Sequence, residues 1–172
     1  MEKIKLLCTL LSLIAVLCGC QGKNADPLAY ASRSFSCLIL WEEEGMECKA
    51  QMDVSPPNTG ASRDLTVTFF APSAMEGLTL TRTQGKTTMQ LGEQTILHPS
   101  LEKWLRIPLL MLAEGERIRK EAQAQENENA IAVTIQGQEG ETTILIDPQT
   151  LLPTAIRTST VKLQVLSFSY IT

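Results

Sequence analysis

Five cysteines and a single histidine are the residues in this chain best suited to chemistry. A thiol can be acylated, bridged, ligated to a metal or used as a nucleophile, and spacing decides among these. Cys8, Cys18 and Cys20 crowd the opening MEKIKLLCTLLSLIAVLCGC, whereas Cys37 and Cys48 stand in the body of the chain. Metal ligation finds no support, because Cys37, Cys48 and the distant His98 lack the paired spacing that zinc ligands need. Catalysis finds no better footing: there is no G-x-S-x-G elbow, no Gly-rich phosphate loop and no dinucleotide fingerprint. The acidic triplet Glu42–Glu44 reads as solvated charge on a hairpin tip, and His98, directly before Pro99, reads as a cap or surface residue. The chain is expected to be neither an enzyme nor the holder of a cofactor.

The three early cysteines sit in a leader. Its apolar run from Leu6 to Cys20 is shorter than the ~20 residues a helix needs to cross a bilayer. Lys3 and Lys5, an apolar core from Leu6 to Leu17 and small residues after it have the order of an export signal. Leu17, Cys18, Gly19 and Cys20 resemble the bacterial lipobox, with Cys18 where Ala or Ser is usual. That resemblance implies lipidation of Cys20 and cleavage before it; modification of Cys18 instead would place bulky Leu17 beside the cut. The alternative is an ordinary secretory signal with incidental cysteines. One acyl chain holds a protein marginally, at ~0.8 kcal/mol per buried CH₂, so the two or three carried by a lipobox cysteine would hold it firmly. The expected organisation is a cleaved signal over 1–19, a lipidated cysteine and tether over 20–33, and one domain over 34–172.

Loss of Glu2, Lys3 and Lys5 with the leader leaves 13 basic and 18 acidic residues, a net charge of −5. Such a domain is a poor partner for nucleic acid and has no polybasic surface for lipid headgroups, so its membrane attachment falls to the lipid on Cys20. Anchored this way, it would face outward from a bacterial membrane.

The elements that position these residues are mostly strands. SFSCLILW and MECKAQMDV flank EEEG as a hairpin, expected to turn through Glu42–Gly45 with Trp41 opposite Met46. Cys37 and Cys48 then share one face; a register two residues tighter would allow a disulfide, and the other reading is two buried thiols. DLTVTFFAP, GLTLTRT, KTTMQL and EQTIL continue as short antiparallel strands, with PPNTGAS as a surface loop. SLEKWLRIPLLMLAEG then shows a helical stripe, with Ser100 as N-cap, Gly115 as stop and a break or kink at Pro108. ERIRKEAQAQ is strand or helix, QAQENENA a turn or loop, and AIAVTIQ, ETTILID, PTAIRTS and VKLQVLSFSY are strands again.

Two phrases, TFFAPSAMEGLTL from Thr68 and IDPQTLLPTAI from Ile146, resemble the LolA/LolB-like superfamily of lipoprotein carriers and their cell-envelope relatives. The resemblance implies a mainly β fold: an incomplete antiparallel barrel of about eleven strands whose concave face is covered by helices. It also implies an apolar cavity for acyl chains or another lipid, with Leu101, Trp104, Leu105, Leu109, Met111 and Leu112 as cavity or lid candidates. An anchor of its own at Cys20 sets this chain apart from the soluble carriers. The plain reading of the same six side chains is permanent core, with the chain docking an envelope protein instead of a ligand.

Overall fold

Alternating apolar and polar residues run through most of the chain, and a chain so patterned satisfies its backbone by pairing neighbouring strands. The computed structural model describes residues 26–43, 45–56, 63–112, 123–126, 130–137 and 140–172. Cys20 and its leader, Gly115, most of the PPNTGAS loop and the run ERIRKE lie outside the described residues. Six strands come first: β1 (Phe35–Glu43), β2 (Met46–Val54), β3 (Leu65–Ala71), β4 (Thr79–Thr83), β5 (Lys86–Leu91) and β6 (Gln94–Leu97). A helix, α1 (Glu102–Leu110), follows. The rest is β7 (Gln123–Glu126), β8 (Ile131–Gly137), β9 (Gly140–Ile146), β10 (Pro153–Arg157) and β11 (Lys162–Tyr170).

All eleven strands form one antiparallel sheet in the order β6-β5-β4-β3-β2-β1-β11-β10-β9-β8-β7. The first and last strands pair at its centre, while β6 and β7, joined through α1, lie at opposite edges. The sheet therefore stays open, and the connection from β6 to β7 must traverse its full width. Buried residues of α1 and of the turn after it join one core with the strands: Leu105, Ile107, Met111 and Leu112 pack with Phe35, Ile39, Met52, Val67, Val133 and Ile144. The incomplete barrel expected from the sequence, with a helical cover, is the observed architecture.

Tight turns set the register. Gln84 and Gly85 both have positive φ, 51° and 75°, as a type I′ turn requires between β4 and β5. Gly92, at φ 60°, occupies the first position of the two-residue turn between β5 and β6, the type II′ arrangement. Three bulges bend the sheet: Phe70, Thr154 and Leu166 are the extra residues where pairing shifts in β3, β10 and β11. Two of them, Phe70 and Leu166, are apolar yet exposed, because the bulge turns them away from the core.

Several expectations are corrected. The β1–β2 turn is two residues long, so Glu43 faces Met46, Trp41 faces Cys48 and Cys37 faces Met52. Cys37 and Cys48 are both buried and are not joined in a disulfide. Offset by four residues along paired strands, they stand roughly 13 Å apart at ~3.4 Å per residue, far beyond disulfide reach. Gln123–Glu126, where a strand-or-helix reading and a loop reading overlapped, is the edge strand β7, its backbone paired with β8 despite polar composition. Residues 28–33, assigned by the sequence reading to the tether, pack with the domain. Leu28, Tyr30 and Ala31 are buried, and Ala29–Ser32 forms a 3₁₀ turn. The buried Arg63 fixes this turn by donating to the carbonyls of Ala31, Arg33 and Ser55. Tyr30 also packs edge-on against Phe35 and Phe168, each at 6.0 Å. Among the described residues the core begins at Leu28, so a chain beginning at Gln21 keeps all of the described core.

Candidate functional site

The cover over the sheet starts at His98, whose Nδ1 accepts the Ser100 backbone N–H at 3.1 Å and lies 2.6 Å from its hydroxyl. This is the capping role expected of the histidine; Ser100 itself sits in the 3₁₀ turn Pro99–Leu101 rather than at the helix N-cap. Pro108 does not break α1: the helix carries it inside and ends two residues later. Beyond it the chain tightens, with Met111 and Leu112 donating to the carbonyls of Pro108 and Leu109. The Tyr30 hydroxyl then donates to the Met111 carbonyl at 2.8 Å, fastening the end of the cover to the N-terminal turn.

This arrangement divides the six lid candidates. Leu101, Leu105, Met111 and Leu112 are buried, and Leu109 is half-buried. Trp104 alone is open to solvent, at 42%. The middle of the trough is thus filled by the chain's own side chains, and free apolar surface remains on the Trp104 shoulder of α1.

There the structure forms an open groove of about 530 Å³, within the range of small-molecule sites. Its apolar surfaces come from Trp41 and Cys48 on β1 and β2, Phe69 on β3, and Trp104 and Ile107 on α1, with Met46 and Met75 beside them. Trp41 and Phe69 meet edge to face at 5.8 Å. Among the described residues that line the groove, the charged ones are Lys103 and Arg106, both cationic. The Lys103 ammonium lies 6.0 Å from the Trp104 ring. The groove therefore joins an aromatic interior to a basic rim, which suits an apolar chain ending in an acidic group.

Of the residues that line this groove, sequence reasoning singled out Trp104 and not Trp41, Phe69, Met46, Met75, Lys103, Arg106 or Ile107. Period-two alternation through Cys37, Ile39 and Trp41, and through Leu65, Val67 and Phe69, was the available signal for the two aromatics, since residues spaced by two share a sheet face. The i, i+3 relation of Trp104 to Ile107 was the signal on the helix.

Cys37, two positions from Ile39 on the same face, is inert by environment: burial first, then the nearby Asp53 charge, pushes its thiol up to about 12. It lacks the electropositive setting of a reactive thiol. No group of three or more His, Cys, Asp or Glu residues placed to hold a metal occurs among the described residues.

Fold and groove define an open antiparallel half-barrel with a helical cover and an apolar groove at one end. No protein-family model and no curated protein sequence matches the chain. Among solved structures, an uncharacterised conserved protein from Thermus thermophilus superposes with a TM-score of 0.58 at 14% identity, over 85% of this chain and 84% of that one. MucB of Pseudomonas aeruginosa, solved with MucA, gives 0.50 at 14% identity over 84% of this chain. The match covers 54% of that chain, so the sequence spans about half the length of MucB. A LolA superfamily protein from Nitrosomonas europaea gives 0.41 at 7% identity over 86% and 90%, an overlap too loose to carry weight. At these identities the likeness is one of fold.

Proposed function

We propose that the chain is a non-catalytic, lipid-anchored protein of the cell envelope that holds an acyl chain or similar apolar ligand along α1, with its acidic end at Lys103 and Arg106. The observation that carries this reading is Trp104, 42% exposed at a groove shared with Trp41 and Phe69. A large aromatic left open beside other aromatics is costly in water unless something covers it. Met46 and Met75 supply adaptable edges for chains of varied length. Anchoring through Cys20 would keep the groove close to a source of lipid.

Native mass spectrometry with lipid extraction tests the reading on the chain beginning at Gln21. Acyl species that co-purify with the wild type and are depleted at least fivefold by Trp104→Ala support it. A clean unliganded mass, unchanged after incubation with fatty acids, rejects it.

A second reading, docking of a protein partner, has its own support in the filled centre of the trough. Leu105 and Met111 are fully buried, which leaves little room for a deep ligand. MucB, whose matched portion has the same fold, was solved in complex with MucA(peri). On this reading the groove would receive an apolar side chain of the partner instead of a lipid.

A further inference from the structure

The sheet's two edges differ in sequence. β7 reads QAQE, whereas β6 reads QTIL and carries neither a charge nor a proline, the usual devices that keep an edge from pairing. All four residues of β6 are exposed, and among the described residues it pairs with β5 alone. Leu91, Ile96 and Leu97 at this edge are 53%, 46% and 66% exposed, and they are three of the eight exposed large apolar residues of the described chain.

Register assigns the free backbone groups. Leu91 faces Gln94 across a two-residue turn, the position at which a hairpin exchanges hydrogen bonds in both directions. Because strand groups alternate in direction, Gln94 and Ile96 spend theirs on β5, while Thr95 and Leu97 turn theirs outward. A strand with two such residues flanking an isoleucine is complementary to itself. When two copies run antiparallel about a two-fold axis at Ile96, Thr95 of each faces Leu97 of the other, and four N–H···O bonds close.

Ile96 then faces Ile96 of the second copy as a non-hydrogen-bonded pair, with Cα atoms ~4.5 Å apart. Met89 already faces Ile96 within the chain, so the row Met89–Ile96 continues across the seam into its symmetry mate. Gln94 faces His98 of the second copy. No carboxylate faces a carboxylate in this ladder, which matters for a chain of net negative charge. The contact is isologous, as a closed dimer requires.

We propose that β6 is a homodimerisation edge, pairing with β6 of a second copy centred on Ile96 to make one continuous sheet. The seam is short, so the dimer is a concentration-dependent one, favoured when copies share a surface.

Cysteine cross-linking on the chain beginning at Gln21 reads both the contact and its register. Under mild oxidation Ile96→Cys forms a disulfide-linked dimer at least tenfold faster than Thr95→Cys. The two thiols introduced by Ile96→Cys face each other within bonding reach, whereas the Thr95 positions, two residues out of register, are ~7–8 Å apart. The wild type, with Cys37 and Cys48 buried, forms none. Equal rates at the two positions, or no dimer at either, overturn the proposal. Sedimentation velocity supplies the second arm. Ile96→Lys, which sets two ammonium groups against each other, raises the dimer dissociation constant at least tenfold. A wild type monomeric at every soluble concentration, or a lysine variant that dimerises equally well, also overturns it.

Discussion

Trp104 and Leu105 are neighbours in sequence with opposite environments. Leu105 is fully buried beneath the cover, so Leu105→Ala should cost about 2–5 kcal/mol in a denaturant titration, combining lost transfer energy with a cavity. Trp104→Ala should cost less than half as much and express itself as lost ligand, because that ring is substantially exposed. Cys37 makes a prediction about pH. Its thiol is held protonated in the folded chain up to about 12, against an ordinary 9.0. The stability it contributes is therefore complete below pH 9 and drains away as pH rises from 9 toward 12. Cys37→Ala should flatten the alkaline limb of stability against pH, measured by chemical denaturation. Residue identity made the thiols and the lone histidine legible from sequence. What stayed hidden was which residue each cysteine faces, since the two-residue turn at Gly45 shifts the hairpin away from the four-residue turn expected of EEEG.

Elements were legible wherever one period persisted. β1 and β2, and β3 as far as its bulge at Phe70, keep alternation and were readable as strands, as was the helical stripe from Leu101. The bulges interrupt that period: β11 buries Leu163, then places Phe168 and Tyr170 on the same side only because Leu166 is extra. A strict period of two would put Phe168 and Tyr170, together with Leu166, on the opposite face from Leu163, so the interruption cannot be located without knowing the partner strand. β7 stayed undecided between strand, helix and loop for a related reason, because an edge strand can be held by backbone pairing with little apolar content. Between elements, two connections are specific enough to test. Tyr30→Phe removes the hydrogen bond to the Met111 carbonyl and should lower stability by about 0.5–1.5 kcal/mol, with faster amide exchange from Leu109 to Leu112. Asp147 organises the β9–β10 turn, its carboxylate accepting the N–H groups of Gln149 at 2.7 Å and Thr150 at 3.0 Å. These bonds, that from Thr150 foremost, hold its pKa below the ordinary value. The turn is thus secured above the unfolded carboxylate pKa and loosens as pH falls through the folded one. A carboxyl NMR titration should place the Asp147 midpoint below the ordinary aspartate value.

At the scale of the whole molecule, the decisive fact is that β1 and β11 meet in the middle while β6 and β7 stand at the edges. The chain must cross the sheet between β6 and β7, and the helix in that connection becomes the cover. The resemblance drawn from the sequence implied this architecture, and the order of elements read there agrees with it: six strands, a helical insertion, then a closing run of strands. Permanent core was one of the two readings open for the six helix residues; what the elements did not foretell is that Leu105 and Met111 would take it while Trp104 stays beside an open groove, because a helical stripe shows which face is apolar and not how far the sheet receives it. The chain has two tryptophans, and both Trp41 and Trp104 line the groove. The most direct measurement is therefore quenching of intrinsic tryptophan fluorescence by a brominated fatty acid in the chain beginning at Gln21. Saturable quenching of both tryptophans, abolished by adding the same unbrominated fatty acid, is the expected result. Linear quenching that excess unbrominated fatty acid leaves unchanged would contradict an acyl-binding groove and favour a protein partner.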